Sequence, residues 1–209
     1  MHRPQRGTTP QGKGRYPDFD VLAPEIVRHW DEPTREVVLA RLRPPGEFRF
    51  FATEEIPTLR ALCDVMLDQD AEPRVPVAEM VDQKFAEGKL DGYRYATMPE
   101  DGDAWRLALR GLDHTAGERY RKRFADLDLA SQRGIVGELH QGTLSGGPWD
   151  ELDMSRVFSV MSRAIVSEFY SHPWTWNEIG FGGPAYPQGF MRFGDVSARE
   201  PYETEEIHS

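Results

Sequence analysis

The residues of this chain best suited to chemistry are its histidines and carboxylates, which could bind a metal ion or transfer protons. Glu138 and His140 are two positions apart, so on a helix their side chains point in different directions. Glu168 and His172 are four positions apart near a helix end and can approach one another. A histidine there is expected to interact with the helix dipole and the last carbonyl groups rather than with a metal ion. No HEXXH motif, paired EXXH units or acidic calcium loop occurs, so no metal site is predicted.

Motifs for a nucleophile or a cofactor are absent from the sequence as well. There is no GXSXG motif, and the single cysteine, Cys63, excludes an internal disulfide and is expected to be a buried apolar residue. Glycine-rich segments occur at 145–147 and 180–183, but neither follows a predicted strand and opens a helix, as a dinucleotide-binding loop does. We therefore predict no catalytic residue, no cofactor-binding residue and no metal ligand in this chain.

The charge of the chain argues against a nucleic-acid or membrane partner. Its 209 residues include 25 basic and 35 acidic side chains and carry a formal net charge of −10, which repels phosphate backbones and anionic lipids. The basic segment RYRKRF at 119–124 is the exception, and a solvated helix end or a salt-bridged contact is its favoured interpretation. No run of about 18 apolar residues is present, so no direct membrane insertion is predicted.

The N-terminal sequence bears on where the protein works. Residues 1–20 contain no apolar stretch of the kind that a secretory or twin-arginine signal requires. The protein is therefore expected in the cytoplasm. The alternative is a periplasmic or other extracytoplasmic location, reached by co-export with a partner that carries a signal.

The elements that position these side chains are predicted to form an all-α fold, an irregular bundle of about five main helices. Apolar residues recur at helical spacing, and no strand or hairpin pattern competes. Capping residues mark the boundaries. The helices are expected to run from a Thr53 cap through Met66, from about Val77 to Glu87 before Gly88, from an Asp103 cap after Gly102 through Phe124, from an Asp128 cap to Gly142, and from Met154 to Pro173.

The third and fifth predicted helices carry the longest apolar stripes. In the third helix, Gly111 and Gly117 each cost roughly 1 kcal/mol relative to alanine. The apolar stripe of the third helix consists of Trp105, Leu109, Leu112, Ala116, Tyr120 and Phe124. That of the fifth helix consists of Met154, Phe158, Met161, Ile165 and Phe169.

Composition divides the chain into four segments. Residues 1–20 are rich in proline and glycine and are expected to be disordered, and residues 21–47 form a variable N-terminal segment. A helical domain is expected at 48–195, followed by an acidic tail at 196–209.

The end of the helical domain, residues 170–194, is predicted to be an ordered but irregular arm rich in glycine and proline. Eight aromatic residues lie between positions 169 and 194, and a disordered segment would not carry so many. These rings must be buried either against the third and fifth helices or against another protein, and the sequence leaves both alternatives open. The candidates for docking on a partner are Trp174, Trp176, Phe181, Tyr186 and Phe190.

Three stretches of the sequence resemble a known family. They are FFATEEIPTLRALCDVML (50–67), GLDHTAGERYRKRFADLDLASQRGIV (111–136) and FSVMSRAIVSEFYSHPWTWNEIGFGGPAYP (158–187). Together they resemble the gluconate 2-dehydrogenase subunit 3 family, the small subunit that accompanies FAD-dependent sugar and alcohol dehydrogenases of the GMC type. The resemblance spans about residues 50 to 193 and leaves the first 47 residues outside it.

The resemblance implies a helical, non-catalytic subunit that binds a large flavoprotein and supports its folding, stability or export. The large subunit would hold FAD, oxidise a sugar, a sugar acid or a polyol, and in some complexes pass electrons to a cytochrome c subunit. Many members of the family carry a twin-arginine signal, which this sequence lacks. The alternatives are a transient assembly chaperone for the flavoprotein and a stand-alone helical enzyme or metal protein.

Overall fold

The computed structural model describes residues 16, 19–43, 45–89, 92 and 95–184, and all of the secondary structure in these ranges is helical. The predicted all-α class is therefore confirmed for the described part of the chain. Two 3₁₀ turns, Phe124–Asp126 and Gly147–Glu151, accompany the α-helices. The α-helices are α1 (Pro24–Val27), α2 (Glu32–Ala40), α3 (Ile56–Met66), α4 (Val77–Ala86), α5 (Asp101–Tyr120), α6 (Leu129–Gln141), α7 (Met154–Ser171) and α8 (Pro173–Ile179).

The predicted helix boundaries hold best where a single residue caps the helix. Asp128 accepts a hydrogen bond from the Ser131 backbone N–H and begins α6, and Gly142 ends that helix with a φ of 68°. The predicted Thr53 cap is wrong, because α3 begins only at Ile56 and the Glu55 carboxylate instead accepts the Ala52 N–H. The Asp103 cap is also wrong, since α5 already begins at Asp101.

The predicted stripe of the third helix is correct up to Ala116 and fails beyond it. Tyr120, the last residue of α5, is exposed, and Arg121 ends the helix with a left-handed φ of 57°. Phe124 is buried, but it lies in the following 3₁₀ turn rather than on α5.

The chain divides into two compact units. The terminal unit comprises the described residues of 1–44, 71–75 and 169–209, and the central unit comprises those of 45–70 and 76–168. The predictions of a disordered segment at 1–20 and an acidic tail at 196–209 fall almost wholly outside the described residues. Residues 21–43, which the sequence presents as a variable segment, form α1 and α2 and share a unit with residues 169–184.

The core of the central unit depends on a glycine in the middle of α5. A Cβ at Gly111 would lie 2.5 Å from the indole of Trp149, so only glycine allows this ring to pack against the helix. Trp149 is buried, and its Nε1 donates a hydrogen bond to Thr115 Oγ1 at 2.9 Å. The glycine that weakens α5 as an isolated helix therefore enables its tertiary packing.

A buried carboxylate anchors the segment that leads into α3. Asp82 of α4 is 1% exposed and accepts the backbone N–H groups of Arg49, Phe50 and Phe51 at 2.8–3.0 Å. These bonds satisfy donors that would otherwise be buried without partners. The ring of Phe51 then packs against Phe85 and Trp105.

Candidate partner-docking segment

The segment predicted to be an irregular arm begins with a short helix, which corrects the sequence-based expectation. His172 has an extended backbone, as the residue before a proline requires, and α7 ends at Ser171. Pro173 then occupies the first turn of α8, where its missing N–H is not needed. Gly180, with a φ of 67°, ends α8. The proline that ends one helix thus begins the next.

His172 caps the beginning of α8. The sequence had suggested that it would interact with the end of α7. Its Nδ1 accepts the Trp174 backbone N–H at 3.3 Å, and its ring is 3% exposed. Burial alone lowers the pKa of this imidazole to about 4, so the ring is neutral at physiological pH. A neutral ring suits the position, because only an unprotonated Nδ1 can accept the hydrogen bond.

The other histidine–carboxylate candidates have structural partners. Glu168 forms an ion pair with Lys84 at 3.8 Å. Glu138 accepts two hydrogen bonds from the Arg119 guanidinium, which lower the pKa of its carboxyl. The ring of His140 lies 4.5 Å from that of Phe158.

Neither a metal cluster nor a reactive thiol is found in the part of the chain that the structure describes. No group of three or more histidine, cysteine, aspartate or glutamate side chains there could hold a metal ion. Cys63 is buried, and burial is the largest of the causes that raise the pKa of its thiol. None of the helices in the described ranges is long and apolar enough to cross a bilayer.

Trp176 belongs to an apolar cluster in the terminal unit. Its side chain is 4% exposed, and its Nε1 donates to the Tyr170 carbonyl at 2.8 Å. The Arg41 guanidinium lies 5.7 Å from the centre of the indole ring and donates to the Ser171 carbonyl at 3.0 Å. The buried residues that form the cluster with Trp176 are Val21, Leu22, Trp30 and Val38.

Residues 19–43 supply neighbours of α8 within the terminal unit. Asn177 is 2% exposed, and its Oδ1 accepts the Val21 backbone N–H at 2.8 Å. A Cβ at Gly183 would lie 2.7 Å from the ring of Trp30, so glycine is needed for this approach. Helices three and five were the predicted intramolecular neighbours of these rings, and residues 19–43 were not predicted. The four-residue spacing of Leu22, Ile26 and Trp30 was the available signal.

The predicted docking residues differ in their surroundings. Trp176 is buried, and the ring of Phe181 contacts it edge-on at 5.3 Å and is half-buried. Trp174 is also half-buried, with its ring 4.9 Å from that of His172. Tyr186 and Phe190 lie outside the described residues. The docking role of all five stays a prediction.

The motif residues in the middle of the chain join helices of the central unit. Asp113 of α5 accepts the Thr58 hydroxyl of α3 at 2.8 Å and the Phe124 backbone N–H at 2.9 Å. The Phe124 carbonyl accepts a hydrogen bond from Gln132 Nε2 at 3.0 Å, and Phe124 itself is fully buried. These residues fix α3, α5 and α6 around the Phe124–Asp126 turn.

The described fold defines an all-α protein whose distinctive motif residues connect helices to one another. The chain belongs to the gluconate 2-dehydrogenase subunit 3 family, whose model matches residues 53–183, more than half of its length. The matched region runs from the entry to α3 through α8 to Gly183. The family implies that this chain is an accessory subunit of a dehydrogenase complex. No curated protein and no solved structure matches the chain.

Proposed function

We propose that this chain is a non-catalytic small subunit that binds and stabilises a large FAD-dependent dehydrogenase of the GMC type. The observation that carries the proposal is the family match over residues 53–183. In the proposed complex the large subunit holds FAD and oxidises a sugar, a sugar acid or a polyol, and in some complexes a cytochrome c subunit accepts the electrons.

The docking surface of the proposed subunit includes the segment around α8. Large aromatic side chains dominate the energy of protein interfaces, and this segment is rich in them. Trp174 is the best-placed anchor among the described candidates, because it is half-buried and held by the capped first turn of α8. A side chain that is already partly ordered loses little conformational entropy when a partner binds.

The proposal is tested by purifying the tagged full-length chain from its own cells under native conditions. The expected eluate contains a second, larger protein in constant ratio and shows the absorption of oxidised flavin. Dye-linked oxidation of a panel of sugars, sugar acids and polyols then identifies the substrate. A chain that elutes alone, while the flavin-dependent dehydrogenase activity remains in another fraction, would contradict the proposal.

The same purification distinguishes a stable subunit from a transient assembly chaperone. A stable subunit copurifies with the flavin-loaded, active dehydrogenase, whereas a chaperone copurifies only with the flavin-free form. The docking surface is tested with Trp174→Ala, which is expected to reduce recovery of the large protein at least tenfold. Tyr120→Ala is the matched control, because Tyr120 is an exposed ring in the central unit and its removal should leave recovery unchanged.

A further inference from the structure

Trp176, in the aromatic segment that the proposed function assigns to the partner, is already covered by this chain's own N-terminal residues. We call residues 19–43 the N-terminal cover. Three kinds of contact join it to α8: aliphatic side chains such as Val38 pack around Trp176, the Arg41 guanidinium lies over the same indole, and the Val21 N–H binds the Asn177 amide oxygen. Together with Phe181 and the Tyr170 carbonyl, these contacts leave Trp176 4% exposed.

The N-terminal cover lies outside the part of the chain that the family model matches. The match begins at residue 53 and includes all of α8, up to Gly183. The surface that is covered is therefore part of the matched region, whereas the segment that covers it lies outside that region. A segment that occupies the aromatic surface of α8 competes with any partner that binds the same surface.

The helices of the N-terminal cover are short. Its helices, α1 and α2, have four and nine residues, and helices of this length are not stable by themselves in water. The indole Nε1 of Trp30 is buried and has no hydrogen-bond acceptor in the described part of the chain. An unsatisfied buried donor disfavours the closed arrangement, and opening would allow water to satisfy it.

We propose that the N-terminal cover is an intramolecular substitute for a segment of the large subunit, and that docking displaces it from α8. The proposal rests on the proposed function, because it assumes that the large dehydrogenase subunit is the partner. The contacts of the cover define the chemistry of the displacing segment. It presents aliphatic side chains and a cation to Trp176, and a backbone N–H to Asn177 Oδ1.

Displacement has a consequence for affinity that a permanent core would not have. The apparent affinity of the partner is reduced by the fraction of molecules in which the cover is open. A substitution that loosens the cover without touching α8 therefore strengthens binding. If the cover were instead a fixed part of the docking surface, the same substitution would weaken binding or leave it unchanged.

The test compares Val38→Ala with Val37→Ala in the full-length chain. Val38 is 1% exposed in the cluster around Trp176, whereas Val37, its neighbour on α2, is 57% exposed. Binding is measured by titration against the large subunit purified from the native complex. Val38→Ala is expected to tighten binding about three- to tenfold, the effect of deleting buried methyl groups from the cover. Val37→Ala is expected to stay within twofold of the wild type, and weaker or unchanged binding by Val38→Ala overturns the proposal.

Hydrogen exchange supplies a second readout that separates this proposal from the proposed function. In the free chain, the amides of α2 and α8 are expected to exchange together and faster than those of α5, and faster still in Val38→Ala. In the complex, α2 is expected to lose protection while α8 gains it. The proposal that docking displaces the N-terminal cover is overturned if α2 stays protected in the complex. It is also overturned if α2 and α8 exchange only on global unfolding. A large subunit that binds no variant at all overturns the proposed function instead, and the exchange of the free chain then decides on the cover alone.

Discussion

The backbone N–H of Val21 donates a hydrogen bond to the side-chain oxygen of Asn177 at 2.8 Å, although the two residues are 156 positions apart in the sequence. Both groups are buried within the terminal unit while residues 19–43 lie against α8, so neither has water as an alternative partner in that arrangement. The bond ties α8, which belongs to the matched family region, to a segment that lies outside it.

Asn177→Ala should destabilise the terminal unit by about 1–3 kcal/mol, because the Val21 N–H is left buried without an acceptor. Chemical denaturation followed by tryptophan fluorescence measures the loss, since Trp30 and Trp176 are in this unit. Ile179→Ala is the control on the same helix, because Ile179 is exposed, and its effect should stay within about 0.5 kcal/mol. Equal effects of the two substitutions would show that the hydrogen bond contributes nothing.

Gly111→Ala and Gly117→Ala should change stability in opposite directions although both are in α5. A Cβ at Gly111 would meet the Trp149 indole at 2.5 Å, so we expect a loss of about 1–3 kcal/mol in the free energy of unfolding. A Cβ at Gly117 meets nothing within 4 Å, so the higher helix propensity of alanine should add up to about 1 kcal/mol. Thermal unfolding followed by circular dichroism measures both, and a stabilising Gly111→Ala would contradict the packing against Trp149.

Asp82→Ala should be among the most destabilising single substitutions in the central unit. It removes the acceptor of three backbone N–H groups in a buried position, and we expect a loss of about 3 kcal/mol or more. Urea denaturation gives the difference in the free energy of unfolding. Asp70→Ala, at an exposed aspartate, is the control, and an equal midpoint for both variants would contradict the anchoring role of Asp82.

His172 should make the terminal unit sensitive to acid. The pKa of His172 is lowered from 6.5 to about 4 in the folded chain, so between these values the unfolded state binds more protons than the folded state. The free energy of unfolding is therefore undiminished by His172 above about pH 6.5. It falls by up to about 3 kcal/mol as the pH is lowered toward 4. Denaturation curves from pH 7.5 to 4.5 measure the slope.

His172→Asn is the matched variant for this pH dependence. Asparagine also accepts hydrogen bonds as a helix N-cap, but it does not titrate. The variant should lose the acid-dependent part of the unfolding free energy while keeping most of the stability at pH 7.5. An unchanged slope would assign the acid sensitivity to other groups.

Local chemistry explains which parts of the fold could be predicted. The Asp128 cap and the helix ends at Gly88 and Gly142 follow from hydrogen bonds and dihedral angles within a few residues, and the structure has them where the sequence predicted. Thr53 and Asp103 were also predicted to be caps, but α3 begins at Ile56, where the Glu55 carboxylate accepts the Ala52 N–H, and α5 begins at Asp101. Propensity is a weak guide wherever tertiary contacts compete with it.

The sequence by itself determined the all-helical class, the family and the need to bury the rings around Trp176. It could not determine which residues bury them, because hydrophobic attraction has no direction and any apolar segment of the chain could have served. In the tertiary structure, Val21, Trp30 and Val38 are the residues that pack with Trp176. Contacts between residues far apart in the sequence bring them together. These contacts are the Val21–Asn177 hydrogen bond, the close approach of Gly183 to the Trp30 ring, and the Arg41 guanidinium over the Trp176 indole.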